Sequence, residues 1–343
     1  LLNFNIRLNV LDFILVFIME KKNGCIFLIS ARKYLLERCL RYLDQNYNNQ
    51  FNYPILIFYH YNLYDDEKFR NTIKNINKNT NYSFHKIKAE IPNNIEEKDM
   101  FWNLPNNKYA KKFSSQRLCY LHANFFWNNF MNFEELKNFD YLIRIDDDSW
   151  FKNRIKFDFF EQLDDNNKLC GSAYSWNFVS RRVLETRENF FRFIKDYVKK
   201  YNVDVKSPKL KQYISQNEID CIDEIKYHKN FHSMKFLCGN CNIYNRKLFE
   251  SEDWKNYLSE FNKIAGGYRF RWGDCEIISM FYYLHIGDEF LDLDLINRNL
   301  YNNQIDNMCY DIFYENNEPN DFKDKRILSR KILIGFSKNK FSS

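Results

Sequence analysis

An α/β domain built on a mostly parallel central sheet with flanking helices is the fold class this sequence predicts. Two observations predict it. Over the first 145 residues, apolar runs of strand length alternate with segments of helical period. Polar and charged residues also gather directly after the strands, where such sheets bind their ligands.

The elements follow in order. Residues 24–30 (GCIFLIS) read as a buried strand. From Ala31 to Gln45 the spacing predicts a helix, with Leu35, Leu36, Cys39, Leu40 and Leu43 on one face. Residues 53–59 give a second strand, 67–77 a helix and 83–88 a short strand. Residues 115–130 read as a helix rich in aromatics. Residues 141–145 (YLIRI) form a strand that runs straight into Asp146, Asp147 and Asp148.

The chain has 343 residues, room for one large core. No internal repeat or low-complexity linker divides it, so residues 23–330 are expected to form a single domain. Residues 10–19 (VLDFILVFIM) are apolar but interrupted by Asp12, and a spanning helix needs about 20 apolar residues. Residues 1–22 are therefore read as upstream sequence or a degenerate membrane anchor, with Met19 as a natural start, and residues 331–343 as a basic flexible tail. Abundant Asn and Lys fit an AT-rich gene, so isolated residues of those types carry little information.

A net charge of +6 is spread thinly, which argues against nucleic acid as a partner. Nine cysteines, an odd number in a long chain, argue against a dense disulfide framework. The C-x-x-C of Cys238 and Cys241 has no second pair to complete a zinc site. His228 and His232 are four apart but lack the intervening Glu of a zinc-protease helix, and read as surface or packing residues.

Three carboxylates at the end of a buried strand repel one another, and burial raises the cost. Open solvent would relieve the repulsion, and so would a divalent cation. Two carboxylates one residue apart, Asp146 and Asp148, suit a hard metal that also bridges the phosphates of a nucleotide.

The order of the segments NGCIFLISAR (23–32), FNYP (51–54), RLC (117–119), YLIRIDDDSWF (141–151), DFFEQLDDNNKLCG (158–171) and AGGYRFRWGD (265–274) resembles the fungal α-1,2-mannosyltransferases of glycosyltransferase family 15. The resemblance runs from about residue 23 to 300. It implies a GT-A-like nucleotide-diphospho-sugar transferase fold and a Mn²⁺-dependent, retaining transfer of mannose from GDP-mannose to a mannoside or glycoprotein hydroxyl. It also implies a place in the Golgi lumen or membrane, with membrane association through the N-terminus. A soluble cytoplasmic protein is the alternative.

Residue by residue, Asp146 stands where the family has a metal-binding Glu, and Asp148 matches its Asp in metal and diphosphate binding. Arg32 and Arg117 match nucleotide-binding arginines, which suit phosphate through their paired donors. Arg271, Trp272 and Asp274 match the acceptor side, with Asp274 also a catalytic candidate. Trp272 either packs on a sugar face or belongs to the core, with Gly273 a simple turn. Two positions depart from the pattern. Asn242 occupies the catalytic position where the family carries a Glu considered as a nucleophile, and an amide cannot form a glycosyl ester. Asn299 falls where the family has a metal-binding His, with Asp147 or the acidic run 288–294 as candidate replacements. These departures fit either front-face substitution or an inactive binding relative. A transferase using another sugar nucleotide is the third reading.

Overall fold

The computed structural model describes residues 21–30, 32–59, 64–87, 93–100, 129–151, 153–173, 175–177, 189–216, 234–237, 241–270, 272–300 and 309–311. The N-terminal apolar segment, most of the aromatic helix expected at 115–130, the C-terminal tail, Arg117, Arg271, Cys238, His228 and His232 lie outside them.

The first half follows the expected alternation. β1 (Gly24–Ser30), α1 (Lys33–Leu43), β2 (Ile55–Tyr59), α2 (Glu67–Lys74), β3 (Tyr82–Lys86) and β4 (Tyr141–Asp146) come in chain order. β1 pairs parallel with both β2 and β4, and β2 with β3. β5 (Ser149–Phe151) and α3 (Phe159–Asp165) follow, then β6 (Cys170–Ser172) and β7 (Ser175–Asn177). α4 (Phe190–Tyr201), α5 (Pro208–Gln216), β8 (Lys235–Leu237) and β9 (Cys241–Asn245) lead to α6 (Glu252–Ile264), α7 (Asp274–His285), β10 (Leu291–Asp292), α8 (Leu293–Leu300) and β11 (Cys309–Asp311).

Among the described residues the main sheet has seven strands in the order β10-β6-β9-β4-β1-β2-β3. Only β9 runs against its neighbours, pairing antiparallel with β4 and β6. Alternation along the strands splits the core into two layers. Phe27, Leu56, Phe58, Leu142 and Tyr244 face the layer that contains α4, α6 and α7. Ile26, Leu28, Ile57, Ile143, Ile145 and Ile243 face the layer with α1 and α3. Both faces are covered, which explains why β1 and β2 read as continuous apolar runs. Each fully buried Leu or Phe contributes on the order of 1.5–3 kcal/mol.

The expected end of the first helix at Gln45 is overrun. The chain continues through a π-helical turn (Asp44–Asn48) and a last α turn (Asn49–Phe51), and Asn52 then adopts the left-handed conformation with φ 52°. The reason lies in Asn48. Its buried side chain accepts from Tyr53 N at 2.8 Å and donates to Tyr53 O at 3.0 Å, closing the bend that feeds β2. Tyr53 in turn donates to Asp158 at 2.6 Å, and Asp158 caps α3 by accepting from Phe160 N. FNYP and DFF, distant in sequence, thus form one structural joint.

Candidate active site

The site lies at the carboxyl ends of β1 and β4. In β4 the side chains alternate, so Ile143 and Ile145 enter one core layer while Arg144 and Asp146 share the opposite face. Arg144 is almost fully buried, and a buried cation needs anionic partners. It donates to Asp146 at 2.8 Å and, through its other terminal nitrogen, to Asp274. Asp274 heads α7, where the helix dipole favours a carboxylate.

The second cation is Arg32, just beyond β1. It donates to Asp148 at 2.9 Å and to Asp147. Asp147 also accepts from Ser30 Oγ at 2.7 Å, and Ser30 Oγ lies 2.6 Å from the buried Tyr64 hydroxyl. Burial pushes Asp146 up to about 7, Arg144 opposes this, and Asp148 and Asp147 add to the rise. Burial likewise raises Asp147, against the pull of Arg32. The Asp146 side chain keeps 33% of its surface open and that of Asp148 12%, so a ligand can reach both.

Asn242 is brought here by the antiparallel strand. It lies opposite Arg144 in the β4–β9 ladder and opposite Ser172 in the β6–β9 ladder. It is buried, and its Oδ1 has no hydrogen-bond partner among the described residues. The sequence-predicted residues Arg32, Asp146, Asp148, Asp274 and Asn242 therefore share the site. Arg144, Ser30 and Tyr64 were not singled out by sequence. A lone arginine inside an apolar strand was the available signal for Arg144.

Trp272 requires a correction. It does not face an acceptor. Its ring is 0% exposed and sits among Phe190, Phe193, Phe261 and Phe270, with centroids 5.2–5.5 Å away. Gly266 is needed there because a Cβ would run into the indole. Trp272 thus anchors the turn before Asp274. The proposed replacement ligands are also engaged elsewhere. Asp147 is held by Arg32 and Ser30, Asp288 accepts from Ser207, and Asp292 caps α8 through Leu295 N at 2.9 Å. Asn299 is exposed on α8, whereas Asn297 is fully buried.

The donor set suits a hard divalent cation. With all four ionised, Asp146, Asp147, Asp148 and Asp274 would outnumber Arg32 and Arg144 by two charges, the charge of one such ion. No set of three or more His, Cys, Asp or Glu side chains converges among the described residues. A cation held by Asp146 and Asp148 would therefore draw its other ligands from a bound diphosphate and water.

Fold and site together define a GT-A-like glycosyltransferase fold, with acidic residues and arginines at the carboxyl ends of β1 and β4. The chain belongs to the glycolipid 2-alpha-mannosyltransferase family, which matches residues 9–318. It is 23% identical over 280 residues to glycolipid 2-alpha-mannosyltransferase 1 of Candida albicans, covering 76% of this chain and 58% of the relative. It is 24% identical over 271 residues to O-glycoside alpha-1,2-mannosyltransferase homolog 4 of Schizosaccharomyces pombe, covering 69% and 59%. The chain thus spans less than two thirds of the length of these relatives. Among solved structures, the mannosyltransferase Ktr4p of Saccharomyces cerevisiae in complex with GDP superimposes with a TM-score of 0.61 at 20% identity, over 78% of this chain and 68% of that one. Core-mannan synthase A of Aspergillus fumigatus in its Mn/GDP form gives 0.61 at 18% identity, over 77% and 70%. No helix among the described residues is long and apolar enough to cross a membrane.

Proposed function

We propose that this protein is a hexosyltransferase that moves mannose from GDP-mannose to a mannoside or glycoprotein hydroxyl, with retention and with Mn²⁺. The observation that carries the reading is the open pair Asp146 and Asp148 at the end of β4, flanked by Arg32 and Arg144. Membership of the mannosyltransferase family supports the donor sugar, and the GDP and Mn/GDP forms of the similar structures support nucleotide and metal. The same family relationship favours the Golgi lumen as the place of action.

In this reading Asp146 and Asp148 hold the cation, and Arg32 binds the diphosphate with Arg117. When bound, the cation offsets charge on the leaving diphosphate. Arg144 keeps Asp146 and Asp274 in place, and Asp274, with Arg271, orients the acceptor. Asn242 cannot act as a covalent nucleophile. Front-face substitution needs none. The bond from C1 to the phosphate oxygen breaks, the acceptor oxygen bonds to C1 on the same face, and the acceptor proton passes to the departing diphosphate.

The test is release of GDP from GDP-mannose with Mn²⁺ and a mannoside acceptor, beside an Asp148→Asn control. Turnover that Asp148→Asn abolishes is the expected result. The amide at Asn242 favours one second reading, a relative that binds without turnover. GDP binding without turnover of any sugar nucleotide would establish it.

A further inference from the structure

The three consecutive aspartates differ sharply in their surroundings. Asp146 and Asp148 keep surface open to a ligand, whereas Asp147 is 2% exposed. One Asp147 oxygen accepts from Ser30 Oγ at 2.7 Å and the other takes Nη2 of Arg32. Ser30 is braced in turn by the Tyr64 hydroxyl at 2.6 Å, and Tyr64 is fully buried. Both oxygens of Asp147 are thus occupied by donors built into β1 and the residue before α1. A cation there would displace a guanidinium and a hydroxyl together. Arg32 reaches Asp148 through Nη1 and Asp147 through Nη2.

We propose that Asp147 is a positioning residue rather than a metal ligand: with Ser30 and Tyr64 it holds the Arg32 guanidinium at the site for the diphosphate. This rests on the transferase reading above. When Asp148 turns to the cation, Nη1 of Arg32 is released towards a phosphate oxygen. Nη2 stays fixed on Asp147, so the guanidinium remains oriented. A planar cation with two terminal nitrogens suits this division, and a lysine would not.

The experiment is a calorimetric cycle of GDP binding, without metal and across a Mn²⁺ series, for the wild type, Asp147→Asn, Arg32→Gln and the double variant. Asp147→Asn is expected to weaken GDP binding at saturating Mn²⁺ about tenfold, the effect of roughly one charge-assisted hydrogen bond. It should add nothing to Arg32→Gln, and the Mn²⁺ concentration for half-saturation should stay unchanged. Ser30→Ala keeps the ion pair and should weaken GDP binding about two- to threefold by the same route. It carries the test if Asp147→Asn fails to fold, and no loss in Ser30→Ala would then count against the proposal. Additive losses in the double variant, or a higher Mn²⁺ requirement for Asp147→Asn, would overturn it and make Asp147 a ligand. A wild type that binds no GDP would instead overturn the transferase reading, and with it the task given to Arg32.

Discussion

Arg32 and Arg144 each tie two carboxylates together, yet they do so in different settings. Arg144 lies within a strand, its side chain is 7% exposed, and its partners Asp146 and Asp274 come from segments far apart in the chain. Arg32 lies just past a strand end, its side chain is 26% exposed, and its partners are adjacent residues. The first pairing fastens α7 to the sheet. The second trims a loop and is open enough to exchange one partner for a ligand. Position and burial, more than residue type, separate the two arginines.

The largest expected effect comes from breaking the buried pairing. Arg144→Ala leaves two carboxylates without their shared cation and should cost about 3–5 kcal/mol of stability in urea unfolding. Arg144→Lys should recover only part, because one ammonium does not span both partners in the planar fork geometry. Equal stability of Arg144→Lys and wild type would erase the contrast. Arg32→Gln should cost less, about 1–2 kcal/mol, since Asp147 keeps Ser30 and already protonates easily, while GDP binding falls.

A pH series sharpens the same comparison. Asp146 is raised to about 7 in the fold, so between roughly pH 4 and 7 the folded state holds a proton that the unfolded state has lost. Stability from this group is present below pH 4 and fades as the pH rises through 7. The thermal midpoint without metal should therefore drop by about a few degrees over that window, and Asp146→Asn should flatten the slope. A surface trio sets the lower reference. Glu260 accepts from Lys263 at 2.6 Å and Lys200 at 2.9 Å, and these bonds hold it down to about 2. Glu260→Gln should cost under about 1 kcal/mol at pH 7. That contribution should be present above about pH 4.5 and vanish as the pH falls to 2.

β1, β2 and β4 are legible in the sequence because each is a largely apolar run bounded by a break in pattern. The aspartate run stood out for the same reason, as charge set against an apolar strand. β6 and β10, only three and two residues long, offer no such contrast, and neither does β9, whose CNIYN mixes amides with apolar residues. Their place in the sheet is fixed by pairing with β4 and with one another, which no local period reports. Trp272 was ambiguous because an aromatic beside glycines fits a sugar platform and a core equally. Only the ring of phenylalanines from α4, α6 and the turn before α7 decides it. Arg144 was overlooked because a single charge in a strand looks like a break in pattern, when its burial demands partners from elsewhere.

The reversed direction of β9 has a consequence for the order in which the molecule is made. β1 to β4 emerge from the ribosome first and can pair with each other directly. β4 then waits as an unprotected sheet edge until residue 241 appears nearly a hundred residues later. Through that interval Arg144 lacks Asp274, and the strand that carries the aspartates is open to mispairing. Nascent chains stopped short of β9 should therefore be the aggregation-prone species, and completion of the sheet beside the aspartates should coincide with the last step of folding.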